Sequence, residues 1–242
     1  MNRYGYLAKY YDRLTEDVDY NSFADYYKAL FEKNSIHVSS VVDLACGTGT
    51  LTSILAGRGY DMTGVDASNE MLMEAAEKDK SILYLNQAIQ ELDLYGTYDA
   101  AVCCLDGINY CEPSSIRGIF ERISLFVRPG GIFVFDILPV EHLKRLDGEI
   151  FVDEDPNFCC MWRAEFDYAN MACNYGFDVF ARRPDGLYER ESEEHIEYAH
   201  SLEFLEKELS GAGFCEICTY GDRVLSAPDA DSERIFISAI RH

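Results

Sequence analysis

A chain of 242 residues is long enough to bury a sizeable core as one domain, with a small lobe added. Apolar residues at 48% and charged residues at 26% mark a globular chain. The formal net charge of −22 argues against nucleic acid, which needs a basic groove, and against an anionic membrane surface.

A small molecule, cationic or neutral, is the easier partner, although acidity also serves solubility. No apolar run reaches membrane-spanning length and residues 1–20 carry no signal-peptide pattern, so a cytoplasmic protein is expected. The nine cysteines are scattered and partly adjacent, which suits a reducing compartment better than a disulfide framework. Cys215 and Cys218 form a C-x-x-C, but on a strand over 214–220 they would point to opposite faces, and no second pair completes a zinc site.

In chain order, residues 4–34 are rich in tyrosine (Tyr4, Tyr6, Tyr10, Tyr11, Tyr20, Tyr26, Tyr27) and read as helices over 6–14 and 22–33, with Asn21 capping the second. Residues 36–136 alternate strands (40–45, 61–66, 82–86, 98–104, 131–136) with helices (50–58, 69–78, 114–126). This is the rhythm of a parallel sheet covered on both faces. The run Arg128-Pro129-Gly130-Gly131 reads as a turn ahead of the fifth strand. From 150 to 198 the pattern shifts to three aromatic-rich alternating runs, 158–168, 171–182 and 187–198, the last two split by Pro184-Asp185-Gly186. An antiparallel insert is expected there, with Trp162, Tyr175, Tyr188, Arg190 and His195 as candidate linings of a pocket beneath it; a surface or cross-strand place is the ordinary one for His195. Ser201 caps a helix over 202–212, and strands at 214–220 and 234–240 close the chain around a polar loop at 222–232.

Chemistry concentrates where the first strand runs through Asp43-Leu44-Ala45-Cys46-Gly47-Thr48-Gly49 into a helix. Glycines there permit a sharp turn with no side chain above it, and the helix presents unpaired N–H groups and the positive end of its dipole. Such a platform suits an anionic or polar ligand, either a dinucleotide or another nucleoside. The dinucleotide fingerprint asks for a third glycine where this chain has Thr52. The second strand ends in Asp66, 17 residues beyond Gly49, where a carboxylate can accept from both hydroxyls of a ribose. Ser68 caps the next helix and Met71 can lie against a flat ring.

The stretch Asp43–Gly49 resembles motif I of the class I S-adenosylmethionine-dependent methyltransferases of small-molecule type. Further residues share the likeness: Leu7-Ala8-Lys9-Tyr10-Tyr11-Asp12-Arg13-Leu14 is similar to their N-terminal cap, and Cys103-Cys104-Leu105-Asp106-Gly107-Ile108-Asn109-Tyr110 looks like their motif IV. The resemblance implies a Rossmann-like seven-stranded, mostly parallel sheet with helices on both faces. It further implies methyl transfer from S-adenosylmethionine to a small-molecule acceptor, by a monomer or homodimer with no nucleic-acid or membrane partner and no metal. The methyltransferase domain would comprise 1–149 and 199–242, and the insert at 150–198 would be a substrate lid. Cofactor contacts would come from Tyr11, Asp43, Ala45, Gly47, Gly49, Asp66, Ala67, Met71, Ala88, Ile89 and Leu105, and acceptor chemistry from Asp106 and then His195. One departure stands out: where the family usually carries an acid that reads adenine, this chain has Ala88, so backbone groups at Ala88 and Ile89, or Gln87, would have to substitute. A nicotinamide-dependent oxidoreductase and a non-catalytic S-adenosylmethionine sensor or partner subunit are the competing functions.

Overall fold

Five short segments rich in β-branched and small apolar residues pair side by side in parallel: β1 (Ser40–Leu44), β2 (Asp61–Asp66), β3 (Leu83–Asn86), β4 (Tyr98–Cys103) and β5 (Val127–Ile137). Two later strands, β10 (Phe214–Tyr220) and β11 (Ile235–Arg241), complete a seven-stranded sheet in the order β10-β11-β5-β4-β1-β2-β3, in which β11 runs against its neighbours. The computed structural model describes residues 5–242, so Tyr4 lies outside the described residues.

Both faces of this sheet are buried, and the period-2 alternation of the strands divides the core. Val42, Leu44, Ala101, Cys103, Phe133 and Phe135 face α5 (Ile116–Phe126) and α7 (Leu202–Gly211). Val41, Ala100, Val102, Ile132 and Val134 face α2 (Tyr20–Lys33) and α3 (Thr50–Gly57). The remaining helices are α1 (Ala8–Leu14), α4 (Asn69–Lys78) and α6 (Val140–Arg145), the last following β5 where no helix was expected. No helix among the described residues is long and apolar enough to cross a membrane.

The insert forms a separate antiparallel sheet of four strands in the order β6-β7-β8-β9: β6 (Ile150–Asp155), β7 (Phe158–Asp167), β8 (Ala172–Arg182) and β9 (Tyr188–Tyr198). β6, with its run of acids, was not read as a strand; it is an exposed edge, and charged side chains are what an edge strand tolerates. One face of this sheet packs Phe158, Cys160 and Val179 on Tyr6, Leu7 and Tyr10, and packs Ala164, Phe166, Cys173 and Tyr175 on Leu143 of α6.

Three local expectations change. The cap of α2 is Asp19, whose carboxylate accepts from Ser22 N–H at 3.0 Å, and Asn21 lies inside the helix. The first helix begins at Ala8, two residues later than expected. Arg128–Gly131 is not a turn before β5 but part of it: pairing with β4 shifts from Tyr98↔Val127 to Ala100↔Ile132, so the extra residues are absorbed as a bulge.

Candidate active site

The carboxyl ends of β1, β2 and β4 meet where strand order reverses, the position at which open α/β sheets bind ligands. After Leu44 the chain takes left-handed conformations at Ala45 (φ 53°), Gly47 (φ 55°) and Gly49 (φ 69°) and enters α3 directly. Asp66 locks this loop to the next strand: its carboxylate accepts from Gly47 N–H at 2.9 Å and from Ser68 N–H at 2.8 Å. Burial holds the Asp66 carboxyl above the ordinary range, against the pull of these donors. Ser68 caps α4 as expected, accepting from Met71 N–H at 3.2 Å.

A cavity of about 230 Å³ opens above this junction. Its wall includes Tyr11, Ala45, Gly47, Asp66, Ala67, Met71, Ala88, Ile89 and Leu105, nine of the residues singled out in the sequence. Ser68, Gln87, Gln90, Cys104, Gly107, Tyr110 and Cys111 complete it. Asp12 sets Tyr11 in place. Its carboxylate accepts from the Thr48 hydroxyl at 2.5 Å and from the Lys78 ammonium at 2.7 Å, pinning α1 across the loop and α4. Tyr11 Cε1 then lies 3.9 Å from where a side chain on Gly47 would begin.

Two expected contacts do not reach this wall. Asp43 is 1% exposed beneath the loop, where it accepts from the Thr52 hydroxyl at 2.6 Å; burial, with the nearby Asp66 charge, pushes its carboxyl up to about 7. Its part is to tie β1 to α3. Gly49 is a packing glycine as well as a turn: a Cβ there would sit 2.7 Å from the Tyr84 hydroxyl and 2.8 Å from Ala75 Cβ.

The loop after β4 is held under tension from behind. Leu105 and Asp106 are consecutive non-glycine residues at φ 55°, a costly conformation that aligns their N–H groups. The buried Asp136 carboxylate at the end of β5 accepts from both, at 3.0 Å each, and from the Arg234 guanidinium. Arg234 also pairs with Asp106 at 2.8 Å, so the Asp106 carboxylate is engaged behind the loop and not on the cavity wall. Asn109, fully buried, donates to the carbonyls of Leu138 and Tyr198 at 3.1 Å each and accepts from Leu138 N–H, joining this loop to both sheets.

His195 is 1% exposed, not a surface residue; its Nε2 lies 3.2 Å from Glu193 and its Nδ1 3.5 Å from the Tyr110 hydroxyl. It is outside the wall itself but one residue behind it. Trp162 and Tyr175 share its face of the second sheet, whereas Arg190 lies on the opposite face against Asp178, and Tyr188 is exposed with its hydroxyl on the Pro156 carbonyl. The sequence pointed to Tyr110 only as the end of the stretch 103–110, and gave no signal for Asp136, Arg234 or Glu197. Glu197 is 5% exposed and accepts from the Tyr175 hydroxyl at 3.2 Å. The alternation Glu193, His195, Glu197 put all three on one face; nothing local showed that this face is buried.

Residues 41–131 match a family model described as a methyltransferase domain. The chain is 30% identical over 240 residues to "Putative methyltransferase YqeM" of Bacillus subtilis, covering 96% of this chain and 95% of that one. The chain belongs to the class I S-adenosylmethionine-dependent methyltransferases. A solved S-adenosylmethionine-dependent methyltransferase from Clostridium acetobutylicum is 29% identical and superposes with a TM-score of 0.87 over 99% of both chains. The fold also matches the sugar N-methyltransferase KedS8 from Streptoalloteichus, at 18% identity and a TM-score of 0.80 over 95% of this chain and 91% of that one.

This methyltransferase uses S-adenosylmethionine as its cofactor, and the cavity suits such a group. Its wall offers a glycine with no side chain just ahead of a helix N-terminus, a carboxylate, and the apolar surfaces of Met71 and Ile89. Among the described residues its wall holds no lysine, arginine or histidine, so nothing there opposes a cationic sulfur.

Proposed function

We propose that this methyltransferase acts on a small-molecule acceptor admitted between the loop at 104–111 and the inserted sheet, which serves as its lid. The observation that carries this reading is the cavity at the ends of β1, β2 and β4, whose wall includes both Tyr11 and Tyr110. When bound, the cofactor supplies a methyl group already activated by its positive sulfur. In the same reading, Gly47 leaves room for the amino-acid tail and Asp66 accepts from the ribose hydroxyls with the oxygen lone pairs not committed to Gly47 and Ser68. Met71 and Ile89 cover the base, and the backbone at Ala88 takes over its polar edge; the Gln87 side-chain amide is committed to Asp93, donating to its carbonyl at 3.0 Å and accepting from its N–H at 2.9 Å. Leu105 and Tyr11 border the reacting end and exclude water, so that orientation does most of the catalytic work.

A small acceptor also fits the acidity of the chain and the likeness to KedS8, a sugar N-methyltransferase. The test is calorimetry with S-adenosylhomocysteine and NAD, followed by radiolabelled methyl transfer into a fractionated cell extract. Binding of the sulfur nucleoside and label in the metabolite fraction are expected. Label confined to protein or nucleic acid would overturn the small-molecule reading.

A further inference from the structure

Two side chains that are not on the cavity wall hold its Cys104–Leu105 stretch in place. Asp136, fully buried at the end of β5, accepts from Leu105 N–H with one carboxylate oxygen and from Asp106 N–H with the other, at 3.0 Å each. Arg234, just ahead of β11, bridges that carboxylate to the one on Asp106. We propose that Asp136 and Arg234 are positioning residues for the charge at the reacting end. By fixing the two N–H groups from behind, they aim the carbonyl oxygens of Cys104 and Leu105 into the cavity, where those oxygens favour a cationic sulfur over a neutral one. This rests on the cofactor reading given above.

Peptide planarity sets the direction. Among the described residues no peptide bond is cis, and in a trans peptide the carbonyl points opposite to the N–H. Leu105 N–H shares its peptide with the Cys104 carbonyl, and Asp106 N–H shares its peptide with the Leu105 carbonyl. Both N–H groups run to Asp136, so both carbonyl oxygens run away from it. Cys104 and Leu105 line the cavity. The left-handed φ of 55° at both Leu105 and Asp106 lets two successive peptides turn the same side to one carboxylate. That conformation is costly for residues with side chains, so it needs a clamp from outside the loop.

The clamp works only with Asp136 ionised. Leu105 N–H, Asp106 N–H and the Arg234 guanidinium converge on its two oxygens, and a neutral carboxyl would turn a hydroxyl against one of them. Burial raises the Asp136 carboxyl, and the Arg234 guanidinium opposes that rise. Arg234 also draws the Asp106 carboxylate behind the loop, so this stretch of wall meets a cation with backbone dipoles. A three-bonded cationic sulfur has no hydrogen to donate. It is stabilised by the negative ends of dipoles already in position when it arrives.

Two measurements test this, and neither needs a known acceptor. Cys104-Leu105 is the one Cys-Leu step in the sequence, so protein carrying ¹³C at cysteine carbonyls and ¹⁵N at leucine gives a single signal for that peptide. In the wild type its carbonyl resonance should move on binding S-adenosylmethionine, and much less on binding the neutral S-adenosylhomocysteine. Equal movement with both ligands overturns the proposal without any variant. The second measurement is calorimetry with the same two ligands on Asp136→Asn, which presents an N–H where one oxygen accepted, and on Arg234→Met. In each, S-adenosylmethionine binding should weaken about tenfold or more, and S-adenosylhomocysteine binding no more than about twofold. A parallel loss for both ligands, as a merely structural tie would give, or no loss for either, overturns the positioning role. If Asp136→Asn does not fold, Arg234→Met and the wild-type spectrum decide. A wild type that binds neither ligand would instead sink the cofactor site, a separate result.

Discussion

The two sides of the cavity are built by different means. Around the loop at 45–49, polar groups are satisfied mostly within two successive strand–helix units: Asp66 accepts from Gly47 and Ser68, and Ser68 from Met71 N–H, with Asp12 of α1 reaching in to Thr48 and Lys78. Behind the loop at 104–111, they are satisfied across the fold: Asp136 by Arg234, Glu197 by Tyr175 on the neighbouring strand, His195 by Tyr110. Local satisfaction makes a cradle that tolerates change elsewhere. Distant satisfaction makes an enclosed, charged interior in which each member depends on the packing of separate elements, so breaking it should cost stability as well as activity.

The contrast is sharpest at Asp136. Asp136→Ala leaves two aligned N–H groups and half of a largely enclosed guanidinium without their acceptor, and should lower the unfolding free energy in urea by about 3–5 kcal/mol. A loss below about 1 kcal/mol would mean that the loop at 105–106 holds itself. Next comes the cradle. Gly47→Val puts a branched side chain at φ 55°, facing Tyr11, and should weaken S-adenosylhomocysteine binding at least 100-fold, about 2.7 kcal/mol, with circular dichroism near native. Normal binding by this variant would remove the loop from the site. Asp66→Ala should cost at least tenfold in the same assay, about 1.4 kcal/mol, through the ribose contact and the loosened loop together. Unchanged affinity in the folded variant would cancel the ribose assignment.

The smallest effect is a pH dependence. Because Asp43 is raised in the fold to about 7, the stability its neutral form contributes is present at mildly acid pH and is lost as pH rises through that value. Asp43→Asn removes the titration and can keep the acceptor for the Thr52 hydroxyl. Its urea midpoint relative to wild type should therefore be higher at pH 8 than at pH 5. An equal offset at both would show that Asp43 stays ionised throughout.

Much of the parallel sheet was legible because its signals are local. Helix α4 spans Asn69–Lys78, as read, because Ser68 supplies the cap and Met71, Leu72 and Ala75 form the buried stripe. Nine of the eleven expected cofactor residues line one cavity, since strand ends followed by tight loops leave the backbone few alternatives. Asp43 and Gly49 lie off the cavity wall because the same motif also packs the loop onto α3, α4 and β3, and spacing cannot separate the two duties. Asn21 lost its place to Asp19 because either residue type can cap and the sequence does not fix which turn starts first.

The order of residues alone determined the alternation of strands and helices, the glycine turn with the acid at the next strand end, and the antiparallel insert, all of which follow from periodicity and backbone freedom over a few residues. Only the tertiary structure decided that His195 and Glu197 face inward, that Arg234 is shared between Asp106 and Asp136, and that Tyr110 stands between His195 and the cavity. Arg234 and Asp136 stand 98 residues apart and Tyr110 and His195 stand 85 apart. A strand's alternation says which side chains share a face, but water is excluded from that face only by whatever packs against it, and no short-range pattern encodes that.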